Sequence, residues 1–549
     1  MVALVNHLTM WTNSIPAAGP QYACLGSFPL TAAPFCERCR PLNLLRTKSI
    51  EQSIADSDEK GRRLKRSLNT WDLMIMGVAV AVGAGIFSVG AQAAAFNAGP
   101  AVTISFVLAA ITCALAIMCY AEFATAIPVA GSAYVFTYAT MGELIAWVIG
   151  WNLILELLMA AAVIAKFWGI YLSDLFAVLN LDVPSEISFF GLPLYWGPLL
   201  IVAIFTAVLV LGTKLSARVN SVFTVIKIAI VLFVIVVGFF YVSPENYTPF
   251  VPESQPPADA EAKWADQPFL SFLSGATPSA FGFTGIISGA ALVFFAFIGF
   301  DVVATSAEEV KNPSRTLPRG IFAGLAVVTV LYILVTLVVT GMVSHTELGE
   351  SGAPSLATAF QLVGADWAAG VISIGSLIGL TTVIMVLLMG LARVVFALSR
   401  DGLMPRFLSR TSEKRGTPAR TQILCGVVVA LLAGFTQVEI LAEMINIGTL
   451  SAFIMVSVGI LVLRRKRPDL KPAFRVPFGK IIPIVSALLC IYLMLNLATI
   501  TWVFFAVWLV AGFAIYFAYG YRHSQLNAKT AAGSTELDAD DEMVGAGTR

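Results

Sequence analysis

The chain has 549 residues, of which 58% are hydrophobic and only 12% are charged, whereas soluble domains average roughly 45–50% apolar and about 25% charged residues. This composition excludes an ordinary soluble enzyme and indicates a polytopic membrane protein. Because Lys+Arg 34 nearly balance Asp+Glu 33, with a formal net charge of +1, no overall basic surface favours binding of nucleic acid. The seven cysteines are scattered and odd in number, unlike a disulfide framework.

Apolar runs of membrane-spanning length recur along the chain. A helix needs about 20 apolar residues to cross the ~30 Å hydrocarbon core of a bilayer. Strands with unpaired edges cannot cross lipid, so each run is predicted to be a helix. Twelve candidates lie at about 71–95, 100–127, 133–172, 195–212, 217–241, 284–307, 316–343, 367–399, 421–436, 438–463, 481–497 and 500–521.

Lysine and arginine residues are concentrated in alternate connections between these runs. They cluster at 214–218, 311–319, 400–420 and 464–480, whereas the intervening connections carry only Lys263. Basic connections of membrane proteins face the cytoplasm. We therefore expect a multi-pass protein of the plasma membrane with both termini in the cytoplasm.

The segments outside the spans contain no predicted soluble domain. Residues 1–45 lack a cleavable signal pattern and are expected to be a disordered leader or the result of a start codon placed too early. Residues 46–70 form a cytoplasmic N-terminal segment, and 522–549 a disordered cytoplasmic tail. The proline-rich stretch at 242–282 is predicted to be an extended extracellular loop.

Two of the predicted helices contain unusual sequences near their middle. The first has Gly-Ala-Gly-Ile-Phe at 83–87, and the sixth has Phe-Ala-Phe-Ile-Gly-Phe-Asp at 295–301. Glycine inside a helix costs ~1 kcal/mol relative to alanine, although small residues also allow close helix packing. Interrupted helices five spans apart favour an inverted-repeat transporter with its binding site at the midplane.

A helix break exposes main-chain groups that suit a zwitterion. The half-helix that starts after the break offers free amides, and the half-helix that ends before it offers free carbonyls. We expect Ala84, Gly85 and Ile86 to supply amides for a carboxylate. Carbonyls near Phe295 and Ile298 would accept hydrogen bonds from an amine. A site that binds both a carboxylate and an amine suits the backbone of an α-amino acid.

Eight passages of the sequence closely resemble the amino acid–polyamine–organocation superfamily, and within it the cationic amino acid transporter branch, which includes bacterial permeases. The passages are RTKSIEQS at 46–53, GAGIF at 83–87, YAEF at 120–123, VAGSAY at 129–134, GWNLILE at 150–156, FFAFIGFD at 294–301, EEVKNPSRTLPRGI at 308–321 and SRDGLMP at 399–405.

The resemblance implies an all-α fold with 12 transmembrane helices and amino acid transport by alternating access. It implies a first repeat at 71–241 with helices 1–5 and a second at 283–463 with helices 6–10. Helices 1 and 6 are the interrupted ones, and two extra helices follow at 481–521. Proton symport is the expected mode, with exchange of amino acids or amino-acid sensing at the same site as alternatives.

Lys227 lies in the middle of the fifth span. An ionisable group there costs at least ~2.5–3.5 kcal/mol, and the side chain cannot easily reach either interface by snorkelling. In the resembled branch a lysine at this place substitutes for a sodium ion, contacts carbonyls at the first break and exchanges a proton. We favour coupling over a structural role.

Two further acids lie near the centres of their spans. Glu156 is in the third span and Asp301 at the break in the sixth. They either hydrogen-bond main-chain groups freed by the breaks or handle substrate and proton directly, and the sequence leaves both possibilities open.

The pocket wall is expected to come from Phe297, Ile298 and Glu156, together with 378–382 in the eighth span. Leu380 is a bulky apolar residue that would shorten the pocket and exclude a guanidinium. The resemblance implies that carriers of arginine in this branch have a smaller residue there. This favours neutral or broad specificity, with lysine and arginine still open.

The sequence has no pattern of an enzyme. HExxH, Walker and GxSxG motifs are absent from it. Cys36 and Cys39 form a lone CxxC, for which an unremarkable N-terminal segment is favoured over a zinc site. We expect no cofactor and no metal. The expected partners are an amino acid, the proton and the lipid bilayer, and the oligomeric state stays open.

Overall fold

The structure is a computed structural model that describes residues 69–525, and all structural statements below concern this part of the chain. It therefore leaves the predicted leader at 1–45 and most of the predicted tail at 522–549 undescribed. The described part also does not include residues 84, 127–133, 135–136, 139, 182, 190–191, 212–216, 256–263, 277–278, 301–302, 304–309, 311, 353, 411–416, 471 and 473.

Each of the twelve apolar runs contains a helix. In chain order the helices are α1 (Thr70–Ala81), α2 (Val102–Ala126), α3 (Glu143–Val178), α4 (Trp196–Leu211), α5 (Ala217–Phe239), α6 (Gly282–Val293), α7 (Pro313–Met342), α8 (Asp366–Arg400), α9 (Ala419–Phe435), α10 (Val438–Lys466), α11 (Ile481–Leu495) and α12 (Thr499–Ile515). Short helices at Phe269–Ser274, His345–Glu350, Leu356–Leu362 and Tyr521–His523 lie in or beside the connections.

The helices differ in length and in how far they are enclosed. Seven helical stretches of the described residues are long and apolar enough to cross a bilayer, whereas α1, α4, α6, α9 and α11 belong to shorter apolar stretches. The most apolar window of α3 is 89% buried, against 28% for α5 and 22% for the stretch that contains α12. Helix α3 therefore runs through the protein interior, while α5 and α12 present large apolar surfaces suited to lipid.

Helix α1 begins at a strong cap and packs closely against α7. The Asn69 side chain accepts hydrogen bonds from the amides of Trp71 (2.8 Å) and Asp72 (3.2 Å), and Asp72 in turn accepts from the Asn69 amide at 2.9 Å. A Cβ atom added to Gly320 of α7 would lie 2.6 Å from that of Leu73. A small residue is therefore needed where the two backbones approach.

The connection between α3 and α4 contains the one sheet of the described residues. Strands β1 (Glu186–Phe189) and β2 (Leu192–Tyr195) pair antiparallel, with Ile187 opposite Leu194. The all-α prediction did not include this hairpin. It can form because the connection lies beyond the helices, where exposed strand edges are not forbidden. The end of the molecule where it lies is called the hairpin face below.

The opposite end of the helices, called the C-terminal face, is held together around two buried carboxylates. Glu122 of α2 accepts hydrogen bonds from Arg464 Nε (2.8 Å), Arg464 Nη2 (2.5 Å) and the Val476 amide (2.7 Å). The same arginine donates to the Gly479 carbonyl. These bonds tie α2 to the end of α10 and to the connection that follows it.

Glu143, at the start of α3, is the second of these carboxylates and is fully buried. It accepts hydrogen bonds from the hydroxyls of Tyr138 (3.0 Å), Tyr516 (3.0 Å) and Ser524 (2.5 Å). Beyond this contact, the Gln525 side chain donates to the Arg400 carbonyl at 2.9 Å. The chain that leaves α12 is thereby bound to the start of α3 and the end of α8. Glu122 and Glu143 with their donors are called the clasp.

Candidate substrate and coupling site

The first predicted break is present in the structure. Helix α1 ends at Ala81, and Val82 leaves the helical region with ψ 90°. The chain turns helical again as a π-helix at Gly85–Val89. Ala84, one of the predicted amide donors, lies outside the described residues.

The second break lies just beyond α6. A 3₁₀ turn follows at Phe294–Phe297, then Ile298 is extended with ψ 139° and Gly299 has φ +112°. A side chain on Gly299 would be strained at this φ and would also collide with Val80 of α1. Asp301, the acid predicted at this break, lies outside the described residues.

The two breaks touch each other. A Cβ atom added to Gly85 would overlap the Cα and Cβ atoms of Ala296. The main chain after the first break therefore packs directly on the 3₁₀ turn of the second. Sequence analysis predicted both breaks and placed them at matching positions, and the structure brings them into contact.

Carbonyls at the end of α1 are capped by side chains from α5 and α7. A helix leaves its last four carbonyls without partners in the helix, and its C-terminus favours a positive charge. The Lys227 ammonium donates to the Ala79 carbonyl at 3.1 Å. The Tyr332 hydroxyl lies 2.6 Å from the Ala81 carbonyl. The contact predicted for Lys227 from the family resemblance is therefore present.

Tyr332 of α7 also reaches the second break. Its hydroxyl lies 2.8 Å from the carbonyl of Ala296, so that one fully buried side chain touches both interrupted segments. Sequence analysis missed this residue. It stands in the apolar run Val-Leu-Tyr-Ile, which looks like any other helix interior, and only the fold shows what its hydroxyl meets.

Lys227 is enclosed by apolar and main-chain groups. Its side chain is only 2% exposed, and a Cβ atom added to Gly379 of α8 would lie 3.0 Å from its Cγ. Among the described residues, no carboxylate lies within ion-pair distance of its ammonium. Within the described part of the chain, the carbonyl of Ala79 is the hydrogen-bond partner of this charge, an arrangement that suits a group that changes its protonation state.

Two predicted substrate groups have internal partners in this structure. The Ile86 amide donates to the Gly83 carbonyl at 3.2 Å, and the Phe295 carbonyl accepts from the Ile298 amide at 3.2 Å. Both bonds are long. A bound carboxylate would replace the first of them, while a carbonyl has a second lone pair and can accept an amine as well.

The predicted wall residues occupy different surroundings. The Phe297 ring packs edge-on against Phe106 and Tyr332, with centroid separations of 6.2 and 5.3 Å. Leu380 is fully buried in α8. Glu156 is buried in α3, where a Cβ atom on Gly448 of α10 would lie 3.8 Å from its amide nitrogen. Phe297 thus supports the second break from the side of α2 and α7.

Comparison with known proteins agrees with this architecture. A family model described as amino acid permease matches residues 68–522. The chain belongs to the amino acid permease family. The permease is a multi-pass membrane transporter and not an enzyme, and the resemblance to the amino acid–polyamine–organocation superfamily is confirmed.

Individual relatives cover nearly the whole permease. It is 41% identical to the methylthioribose transporter of Bacillus subtilis and 42% identical to the branched-chain amino acid permease BcaP of the same organism. Both matches cover 88% of this chain and 99% of the relative. It is also 30% identical to human cationic amino acid transporter 4, over 92% of this chain and 93% of the relative.

Proposed function

We propose that the permease moves L-amino acids across the plasma membrane by alternating access and couples this movement to protons at Lys227. The observation that carries the proposal is the capping of α1 by Lys227 and Tyr332 beside the second break. A change in the charge of Lys227 changes the strength of its hydrogen bond to the Ala79 carbonyl. Protonation and the geometry of the breaks are thereby linked.

The substrate lies where the two breaks meet. Its carboxylate binds the amides that begin the second half of the first span, at Ala84, Gly85 and Ile86, where the helix dipole favours a negative charge. Its ammonium binds carbonyls at Phe295 and Ile298. Further contacts come from Phe297, Asp301, Glu156 and Leu380. The repeats at 71–241 and 283–463 rock against each other around this point, and both termini face the cytoplasm.

The side chain preferred by the site is neutral and apolar. Leu380 is buried and bulky, and a relative 42% identical over most of both chains is named a branched-chain amino acid permease. A similarly close relative is named a methylthioribose transporter, so methylthioribose belongs in the substrate panel. Exchange of one amino acid for another remains the second mode, because it uses the same site and needs no net proton.

Uptake by purified permease in liposomes tests the proposal. Labelled leucine, alanine, arginine and methylthioribose are offered with and without an imposed proton gradient. We expect saturable, concentrative uptake of leucine that requires the gradient. Transport only in the presence of internal substrate, whatever the gradient, would assign exchange instead. Uptake of methylthioribose alone would overturn the amino acid assignment.

A further inference from the structure

A cavity of about 750 Å³ opens at the hairpin face. Asp174, near the end of α3, lines it together with Lys166, whose ammonium lies 3.3 Å from the centre of the Tyr195 ring. Asp266 and Glu443 also line it. Charged and apolar side chains both line the cavity, and its charged groups suit it to hold water on this side of the breaks.

One turn of α3 inward from Asp174 stands Tyr171. This side chain is fully buried, and its hydroxyl donates to the Phe87 carbonyl at 2.6 Å. Ser88 of the first span and Ser376 of α8 lie beside the same hydroxyl. Three elements thus bring hydroxyl groups together between the cavity and the breaks.

The serines of this cluster lie close to Tyr171 but make no hydrogen bond of good geometry with the described residues. The hydroxyls of Ser88, Ser373 and Ser376 are fully buried and have no hydrogen-bond partner among the described residues. A buried polar group without a partner costs about 1–3 kcal/mol. Such groups in natural proteins are usually explained by ordered water or by function. Two of them lie beside one tyrosine, and the third, Ser373, lies one turn from Ser376 on α8; together they indicate a site that takes up water.

The cluster leads towards Lys227. Ser373 and Ser376 are one turn apart on α8, and Gly379, which contacts the Lys227 stem, follows one turn further. Three residues of helix rise by about 4.5 Å, so the two serines and the Gly379 surface lie on successive turns of α8. The two serines of α8 therefore lie on the turns that precede the contact with the Lys227 side chain.

We propose that the hydroxyls of Tyr171, Ser88, Ser373 and Ser376 hold a chain of waters that carries protons from the hairpin-face cavity to Lys227. This inference rests on the proposed coupling role of that lysine. Neutral Nζ takes a proton from the nearest water and forms an N–H bond as that O–H bond breaks. Each water is reprotonated by the next, and the last takes a proton from the cavity, so one proton moves in with no net change along the chain.

Other titratable groups near Lys227 are few. Helix α5 packs against α7 and α8, and Ala79 belongs to α1. On α7 the central titratable group is Tyr332, already bonded at the breaks. The remaining charged residues of these helices stand towards the helix ends; they are Asp72, Arg218, Arg315, Arg319, Asp366, Arg393 and Arg400.

Alanine substitution of the serines tests the route. The variants are Ser376→Ala and the double variant Ser88→Ala with Ser376→Ala. The matched control is Ser457→Ala, which removes an equally buried hydroxyl that pairs with Ser486 at 3.0 Å in another part of the protein. Each is assayed for proton-driven uptake, for exchange of internal against external leucine, and for leucine affinity.

We expect the double variant to lose about tenfold or more in proton-driven uptake while exchange and leucine affinity stay within twofold of wild type. The control should keep all three. Unchanged proton-driven uptake in the double variant, with a wild type that depends on protons, would overturn the route and leave the coupling proposal standing. A parallel loss of affinity would assign the hydroxyls to the substrate and also overturn it. A wild type that is indifferent to protons would overturn both.

Discussion

Buried charges occur in two regions of the permease and have very different surroundings. At the clasp, Glu122 and Glu143 each accept three hydrogen bonds, and Glu122 faces the guanidinium of Arg464. At the breaks, Lys227 has one hydrogen bond, to a main-chain carbonyl. Both regions hold charge away from water, but the clasp gives its charges more hydrogen bonds.

The number of hydrogen bonds to each buried charge distinguishes charges that stabilise the fold from charges that take part in transport. A buried carboxylate that accepts several hydrogen bonds is costly to disturb and fixes the elements around it. A buried ammonium with one neutral partner is poorly stabilised and responds readily to a change in its surroundings. Substitutions at the clasp should therefore change stability, whereas those at the breaks should change transport.

The largest expected effect is that of Lys227→Met, which removes the charge but keeps length and apolar packing. Proton-driven accumulation should be lost and residual exchange should no longer depend on pH, with unfolding temperature little changed. Uptake by purified wild type and variant across roughly pH 5–8, where a buried lysine can titrate, measures this. Proton-driven accumulation by the variant would transfer coupling to Glu156 or Asp301.

Next in size is Gly85→Leu. Even a single Cβ atom at this position meets Ala296, and overpacking of this kind costs about 1–3 kcal/mol. We expect leucine binding to disappear while the protein still inserts and stays monodisperse in detergent. Gly390→Ala, at a glycine of α8 where an added Cβ atom would make only ordinary contacts with Leu157 at 3.8 Å, is the control for substitution of a glycine. Unchanged affinity in Gly85→Leu would remove the carboxylate site from this segment.

At the clasp, Glu122→Ala leaves Arg464 without its carboxylate. Breaking a buried pair costs about 3–5 kcal/mol, so the unfolding temperature should fall clearly while leucine affinity of the folded fraction is retained. Asp469→Ala removes the exposed partner of Arg467 and should leave the unfolding temperature unchanged. A Glu122→Ala protein of wild-type stability would contradict the structural role of the clasp.

The smallest effect is expected from Leu380→Ser, a change of pocket size rather than of charge. Loss of apolar bulk should improve arginine uptake relative to leucine by about tenfold, the lower end of what shape discrimination by apolar pockets provides. Competition of unlabelled arginine against labelled leucine measures it. A wild type that already prefers arginine would refute the argument from Leu380.

Much of the helical layout could be predicted because it depends on local composition. Twelve apolar runs gave twelve helices, and glycines at 83 and 299 marked the breaks. The hairpin at Glu186–Tyr195 was missed, because its two short strands lie in a connection, where apolar length carries no information.

Only those parts of the site that contain a buried charge or a glycine inside a helix could be predicted from the sequence. A lysine in an apolar run is conspicuous, because its burial is expensive. Tyr332, Ser88 and Ser376 are not, because tyrosine and serine are ordinary residues of membrane helices. Their roles depend on which helix lies opposite, and that is a property of the tertiary fold.

The hydroxyl of Tyr332 has a single proton but lies within bonding distance of two carbonyls, at Ala81 and Ala296. It can donate to one of them at a time. If the first half of the first span moves away, the tyrosine hydroxyl rotates and donates its hydrogen bond to the carbonyl of Ala296 instead, so the donor keeps a partner. Such a motion avoids the cost of about 1–3 kcal/mol for an unsatisfied buried donor. The hydroxyl can therefore bond to either interrupted segment and still let the two segments separate at a low cost in free energy.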